Sequence, residues 1–246
     1  MILGNLRTRF PGSHVYLARS GEQWLGLAAY YDAPRSLIPF STEPQVTRAL
    51  VRHIAGLHRP IEYMNGSAFT AEPAYDELVA LGFAPANDPR QILMEAPLSS
   101  EDAIPRCPHE DGARLVRPAD GPELALLMRY LRGRTEEELP TQREIEMILI
   151  NPHRMVIESA GRAATMAATN GIGIRAFQIL AVATRPQFRR QGYASSVCAA
   201  LMRHMFRQGA RHAVLFTNVD NHAARSCYEQ LGFTVTGSYM VARFAV

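Results

Sequence analysis

Two stretches of this sequence hold residues whose types and spacing fit a defined chemistry. The first is Arg189-Arg190-Gln191-Gly192-Tyr193-Ala194, an R-x-x-G-x-A turn between the apolar run Ile179–Thr184 and a helical stretch ending at Gln208. At a helix N-terminus several backbone N–H groups lack intrahelical partners, and the helix dipole is positive there. Such a turn is a ready anion site, and phosphates use it often. Gly192 lets a pyrophosphate approach the backbone closely, and Ala194 is the small residue at the tight start of the helix. Arg189 and Arg190 add cationic side chains beside it. Taken in isolation, the same six residues also describe an ordinary strand–turn–helix connection with a solvated arginine pair. The second stretch begins at Asn218 and runs through Asn221 and Tyr228 to Leu231-Gly232-Phe233. It holds a strand end, an N-x-x-A-x-x-x-Y helix and a glycine exit.

The elements around these stretches alternate between strand and helix. From Ala113, a short apolar opening leads to helical spacing over Pro122–Leu131, with Leu124, Leu126, Leu127 and Leu131 able to share a face. Capping-box patterns follow at Thr135–Glu138 and Thr141–Glu144. Strands are predicted at Met155–Ser159 and Arg162–Thr169, joined by Ala160-Gly161, and again at Ala176–Thr184. A helix over Ala194–Gln208, a strand over Ala213–Thr217 and a helix over His222–Leu231 come next. Two short strands around Gly237 close the chain. This order predicts a mixed α/β sheet flanked by helices.

The earlier part echoes that order. A hairpin, Val15–Ala18 with Trp24–Tyr30, precedes a strand at Ser36–Phe40 and a helix opened by Thr42-Glu-Pro-Gln45. A strand at Ile61–Met64 and a helix over Glu72–Leu81 follow, ending in Leu81-Gly82-Phe83. The two L-G-F exits are offset by 150 residues, so the chain reads as two copies of one unit. Between them, Pro97, Pro105 and Pro108 with Ser, Asp and Gly discourage helix and central strand. The expected domains are therefore 1–97 and 113–246, with a linker at 98–112.

From Ala113 to Val246, and most specifically over Ile179–Phe233, the sequence resembles the GNAT N-acetyltransferase superfamily, small acyl-CoA-dependent acyltransferases. The resemblance implies two GNAT-like mixed sheets flanked by helices, with the N-terminal one incomplete. It also implies acetyl-CoA as donor co-substrate and a primary amine as acceptor. Val182 and Thr184 would line the pantetheine. Arg189, Arg190, Gln191, Gly192, Tyr193, Ala194 and Ser195 would hold the pyrophosphate. Asn221 would touch the pantetheine arm, and Tyr228 would protonate the leaving sulfur. The resemblance further implies that the sheet splays between the strands ending at Thr184 and Thr217. A backbone N–H near Val182 would stabilise charge on the carbonyl oxygen.

The general base stays open. Some members of that family place a glutamate on the strand before the turn, where this chain has Gln178. Glu158 and His153 are candidates, though a solvated hairpin position suits both better. Glu136, Glu137 and Glu138 would attract a cationic acceptor or simply favour a helix start. The first copy has Leu78 and Ala71 at the positions of Tyr228 and Asn221, and no R-x-x-G-x-A between Ser36 and Thr42. It starts at the hairpin, without an opening strand and two helices. It is expected to bind no CoA, either completing an internal pseudo-dimer or shaping the acceptor cleft, in a monomer with an internal pseudo-dimer or a homodimer. A non-catalytic acyl-CoA sensor is the competing class.

Composition limits the rest. With 246 residues, 47% hydrophobic and 20% charged, the chain can bury a sizeable core. The longest uncharged run, Gln230–Ala242, is 13 residues, too short for a spanning helix of about 20. The start has no apolar core before Arg7 and Pro11, so no secretory signal is expected. Three cysteines, Cys107, Cys198 and Cys227, fit a reducing cytoplasm rather than a disulfide framework. Cys107 and His109 have no second Cys–His pair, so no metal site is expected. All 26 basic residues are arginines, scattered rather than clustered, with a net charge of +3. That distribution gives no support for nucleic-acid binding.

Overall fold

The computed structural model describes residues 2–7, 12–131, 139–170, 173 and 175–245. The chain divides into two compact units. The first comprises Met1–Leu93, Phe216–Asp220 and Thr236–Val246; the second comprises Met94–Leu215 and Asn221–Val235. This division does not follow the linear one, because the end of the chain packs with its beginning.

In the second unit, strands β7 (Ala113–Leu115), β8 (Arg154–Ser159), β9 (Arg162–Asn170) and β10 (Ala176–Thr184) form successive antiparallel pairs. Strand β11 (His212–Asn218) pairs parallel to β10 from Ala176↔His212 to Gln178↔Val214. The hairpin between β8 and β9 turns at Ala160 and Gly161, both at positive φ. Helix α3 (Gly121–Tyr130) packs on β9 and β10, and α4 (Gln142–Leu149) packs on α3. They bury Leu124, Leu127 and Ile148 against Val156, Met166 and Ala183. Helix α5 (Tyr193–Arg207) packs on β8, β9 and β10, and α6 (His222–Gln230) packs on α5. Arg154–Ile157 are buried without interruption, which is the pattern of a strand covered on both faces. The Thr141 capping box forms: Thr141 Oγ1 accepts from Glu144 N–H at 3.2 Å, and Thr141 N–H donates back to Glu144 at 2.8 Å. The pattern at Thr135–Glu138 lies outside the described residues.

The first unit orders its strands β1 (Ile2–Arg7), β2 (Ser13–Ser20), β3 (Gln23–Tyr31), β4 (Ser36–Ser41), β5 (Tyr63–Ser67) and β12 (Thr234–Arg243). Helices α1 (Pro44–Gly56) and α2 (Ala68–Ala80) pack on this sheet. Val46, Leu50, Val51 and Ile54 recur at helical spacing on α1 and join a core with Tyr16, Tyr30, Met64 and Leu78.

Four expectations change here. The first unit does not start at the hairpin: β1 pairs antiparallel with β2, as β7 does with β8. Helix α1 is not capped by Thr42; its N-cap is Glu43, with Pro44 taking the first turn, where a missing N–H costs nothing. Strand β6 (Arg90–Pro97) precedes the linker unannounced. The chain around Gly237 is one strand rather than two, because Gly237 keeps an extended conformation instead of turning. Strand β12 pairs antiparallel with β5, and its Met240 and Ala242, with Phe244, complete the core of the first unit. Among the described residues, no helix is long and apolar enough to cross a membrane.

Candidate active site

The site is built where the β10/β11 ladder stops. Among the described residues the parallel pairing ends at Gln178, yet β10 continues to Thr184. Along the same strand, the register with β9 shifts between Leu180 and Ala183, and Ala181 takes φ +54°. A bulge of this kind sets two residues, Ala181 and Val182, against one on β9 and locally disrupts the ladder. A cleft of about 930 Å³ opens at this point within the second unit.

Both chemistry-bearing stretches line that cleft. Val182, Thr184, Arg189, Arg190, Gly192, Tyr193, Ala194 and Ser195 come from β10 and the turn into α5. Asn221 and Tyr228 come from α6. Gln191 is the one predicted residue that does not line it; its side chain donates to Gln187 O at 2.8 Å and is exposed.

Gly192 is the N-cap of α5 at φ +84°, a left-handed conformation that glycine takes without steric cost. Space is not the reason for glycine here, since a Cβ would lie 3.6 Å from Pro108 Cγ, an ordinary contact. The hydroxyls of Ser195 and Ser196 both donate to Gly192 O, at 2.9 and 2.8 Å. Arg189 Nε donates to Thr184 O at 3.1 Å, tying the turn to the end of β10. Tyr193 is buried, and its hydroxyl donates to Ser159 Oγ at 2.9 Å. Asn221 caps α6 by accepting from Ala224 N–H at 3.2 Å, which leaves its Nδ2 amide as the part that can reach a ligand.

Tyr228 is 9% exposed, its ring 5.9 Å from that of Phe233. Burial raises its phenol well above the usual value, with the nearby Cys198 and Cys227 thiols adding to the effect. Among the described residues its hydroxyl makes no hydrogen bond. A near-buried phenol that lines the cleft and stays protonated at neutral pH can act there as a donor, not as a base. Burial also pushes the Cys227 thiol up to about 11 and raises the Cys198 thiol as well, so neither is an activated nucleophile.

The candidate bases lie elsewhere. Glu158 forms an ion pair with Arg114, and His153 Nδ1 lies 3.1 Å from His204 Nε2. Neither lines the cleft, nor does Gln178, and among the described lining residues there is no carboxylate. Glu136–Glu138 lie outside the described residues. Among the described residues there is no His/Cys/Asp/Glu group able to hold a metal. Tyr130, Leu131, Phe188, His222, Ser226 and Gln230 also line the cleft without having been singled out. The end of α3 carries no motif, and His222 and Ser226 had only their position on the Asn221 helix to mark them.

Residues 124–233 match the model of the acetyltransferase (GNAT) family. The match covers every cleft residue. Over 64 residues the chain is 34% identical to a mycothiol acetyltransferase from Corynebacterium efficiens. That stretch is 26% of this chain and spans only 22% of the relative's length. The chain is similar in structure to a GCN5-related N-acetyltransferase from Sphaerobacter thermophilus, with a TM-score of 0.62 and 17% identity. The similarity covers 94% of this chain and 80% of that one. It is also similar to a tandem GNAT protein from the clavulanic acid biosynthesis pathway, with a TM-score of 0.57, 15% identity, and 94% and 83% coverage. At these identities the two structures establish a mixed α/β, GNAT-like fold and nothing finer.

Proposed function

We propose that this protein is an acetyl-CoA-dependent N-acetyltransferase whose one donor site is the cleft between β10, α5 and α6. The observation that carries this reading is the convergence of the left-handed Gly192 turn, the β10 bulge and Tyr228 on one cleft. The residues present suit the donor. The helix N-terminus after Gly192 offers unpaired N–H groups and a positive dipole to a pyrophosphate, with Arg190 beside it. Val182, Thr184 and the Asn221 amide line the path from there for an extended, amide-bearing arm.

The reaction is direct transfer. An unprotonated acceptor amine attacks the thioester carbonyl; the C–N bond forms, the C–S bond breaks, Tyr228 gives its proton to the departing sulfur, and the proton lost by the nitrogen passes to solvent, from which the phenol is restored. The N–H of Val182, beside the bulge, donates to the carbonyl oxygen as charge develops there. Holding both reactants in one cleft supplies much of the rate. The first unit is a degenerate copy without a donor site. Its α2 exit repeats that of α6: Gly82 and Gly232 sit at φ +92° and +87°, and Phe83 and Phe233 N–H donate back to Leu78 O and Tyr228 O at 3.0 and 3.1 Å. Yet Ala71 and Leu78, at the positions of Asn221 and Tyr228, are wholly buried core residues.

One observation favours a second reading: with no carboxylate among the described lining residues, the cleft suits an acyl-CoA sensor equally well. Thiol release from acetyl-CoA, screened over amino acids, polyamines, amino sugars and peptide N-termini, separates the two. Release that depends on an amine supports the transferase. Binding without release to any amine supports the sensor.

A further inference from the structure

The proline-rich segment before β7 does more than connect. We propose that His109 is a positioning residue of the donor site, holding the Gln191–Tyr193 turn in its anion-binding shape; this rests on the donor-site reading above.

The turn needs holding. Arg190 and Gly192 both sit at positive φ, +62° and +84°, with Gln191 between them. A non-glycine residue in that region persists only when its surroundings impose it. His109 supplies three such restraints from 82 residues away in sequence. Its Nε2–H donates to Gln191 O at 2.9 Å, the carbonyl lying between the two left-handed residues. Its ring stacks on Tyr193 with centroids 3.9 Å apart and planes at 5°. Its backbone N–H donates at 3.1 Å to Ser196 Oγ, which in turn donates to Gly192 O. Pro108 closes the fourth side, against Gly192.

His109 is itself anchored. The next residue, Glu110, is buried and forms an ion pair with buried Arg203 of α5. The Arg203 guanidinium also donates to the carbonyls of Ile104 at 2.6 Å and Pro105 at 3.1 Å. Turn and strap are thus fastened to the same helix, one at its first residue and one three turns along. The N–H groups after Gly192 therefore keep their direction before any ligand arrives, which lowers the ordering cost of binding.

Three substitutions separate the contacts. His109→Phe keeps the stacking and loses the donor. His109→Gln keeps an N–H donor at similar reach and loses the stacking, and His109→Ala loses both. Calorimetric titration with acetyl-CoA should show Kd raised about tenfold in His109→Ala and about threefold in each of the others. The kcat at saturating acetyl-CoA should stay at the wild-type value, a split that a general loss of stability would not produce. In the ligand-free protein, amide exchange at Gln191–Ser196 should speed up in His109→Ala. If that variant does not fold, the Phe and Gln variants carry the same comparison. A folded variant with wild-type Kd and wild-type exchange overturns the proposal. Should the wild-type protein bind no acetyl-CoA, the donor-site reading fails, and the exchange experiment alone decides whether His109 holds the turn.

Discussion

Replacing Tyr228 with phenylalanine removes one oxygen from the cleft wall and leaves the ring in place. The ring is 9% exposed and lies near Phe233 at 5.9 Å, so its packing survives the change. Among the described residues the hydroxyl has no protein partner to strand, so the fold should change by less than about 0.5 kcal/mol. The catalytic effect should be much larger. Burial keeps the phenol protonated at neutral pH, and deleting a general acid typically costs about 10²–10⁴-fold. A thiol with a pKa near about 8.5 leaves moderately well unaided, which places the loss at the low end. A fall of about 10² in kcat corresponds to about 2.7 kcal/mol of transition-state stabilisation. The assay is thiol release at saturating acetyl-CoA and amine, with Kd measured in parallel by calorimetry. The expected result is kcat down by about 10² with Kd within about twofold, the signature of an interaction made mainly in the transition state. Full kcat in the variant, with rapid mixing showing that chemistry limits turnover, would reduce Tyr228 to a packing residue.

Two other perturbations read the turn and the strand order. Gly192→Val places a β-branched residue at φ +84°, where strain of about 1–3 kcal/mol reshapes the turn although Pro108 leaves room for the new Cβ. Acetyl-CoA affinity should fall at least about tenfold, near 1.4 kcal/mol, with the far-ultraviolet dichroism retained; unchanged affinity in a folded variant would move the pyrophosphate elsewhere. Ending the chain after Val235 removes Met240, Ala242 and Phe244 from the core of the first unit, where each is at most 5% exposed. Losses of about 2–5 kcal/mol per large side chain should unfold that unit, seen as lost amide protection over α1 and α2; intact protection there would refute the assignment of β12.

The candidate site was legible in the sequence because its chemistry is local. Arg189–Ala194 needs only a strand before it and a helix after it, and Gly192 can be recognised by type as the residue fit for positive φ. Asn221 and Tyr228 were singled out by the resemblance to the GNAT superfamily, and both line the cleft from one short helix. What stayed hidden depends on contacts distant in sequence. The β10 bulge leaves no compositional mark, since Ala181 and Val182 suit a regular strand as well as a bulged one. The strap fared likewise: its prolines marked a break in the pattern, yet Pro97 ends strand β6 and Glu110–Gly112 form a short 3₁₀ turn, and nothing in them foretold that His109 would meet Gln191. Strand β12 looked interrupted because Gly237 reads as a turn signal, whereas the chain stays extended through it from Thr234 to Arg243.

The most direct test is a calorimetric titration of the wild-type chain with acetyl-CoA. The cleft of the second unit holds the turn, the bulge and the tyrosine, while the first unit buries Ala71 and Leu78 at the corresponding positions. The predicted result is saturable binding with one acetyl-CoA per chain. No binding would contradict the donor site itself, and two per chain would contradict the silent first unit.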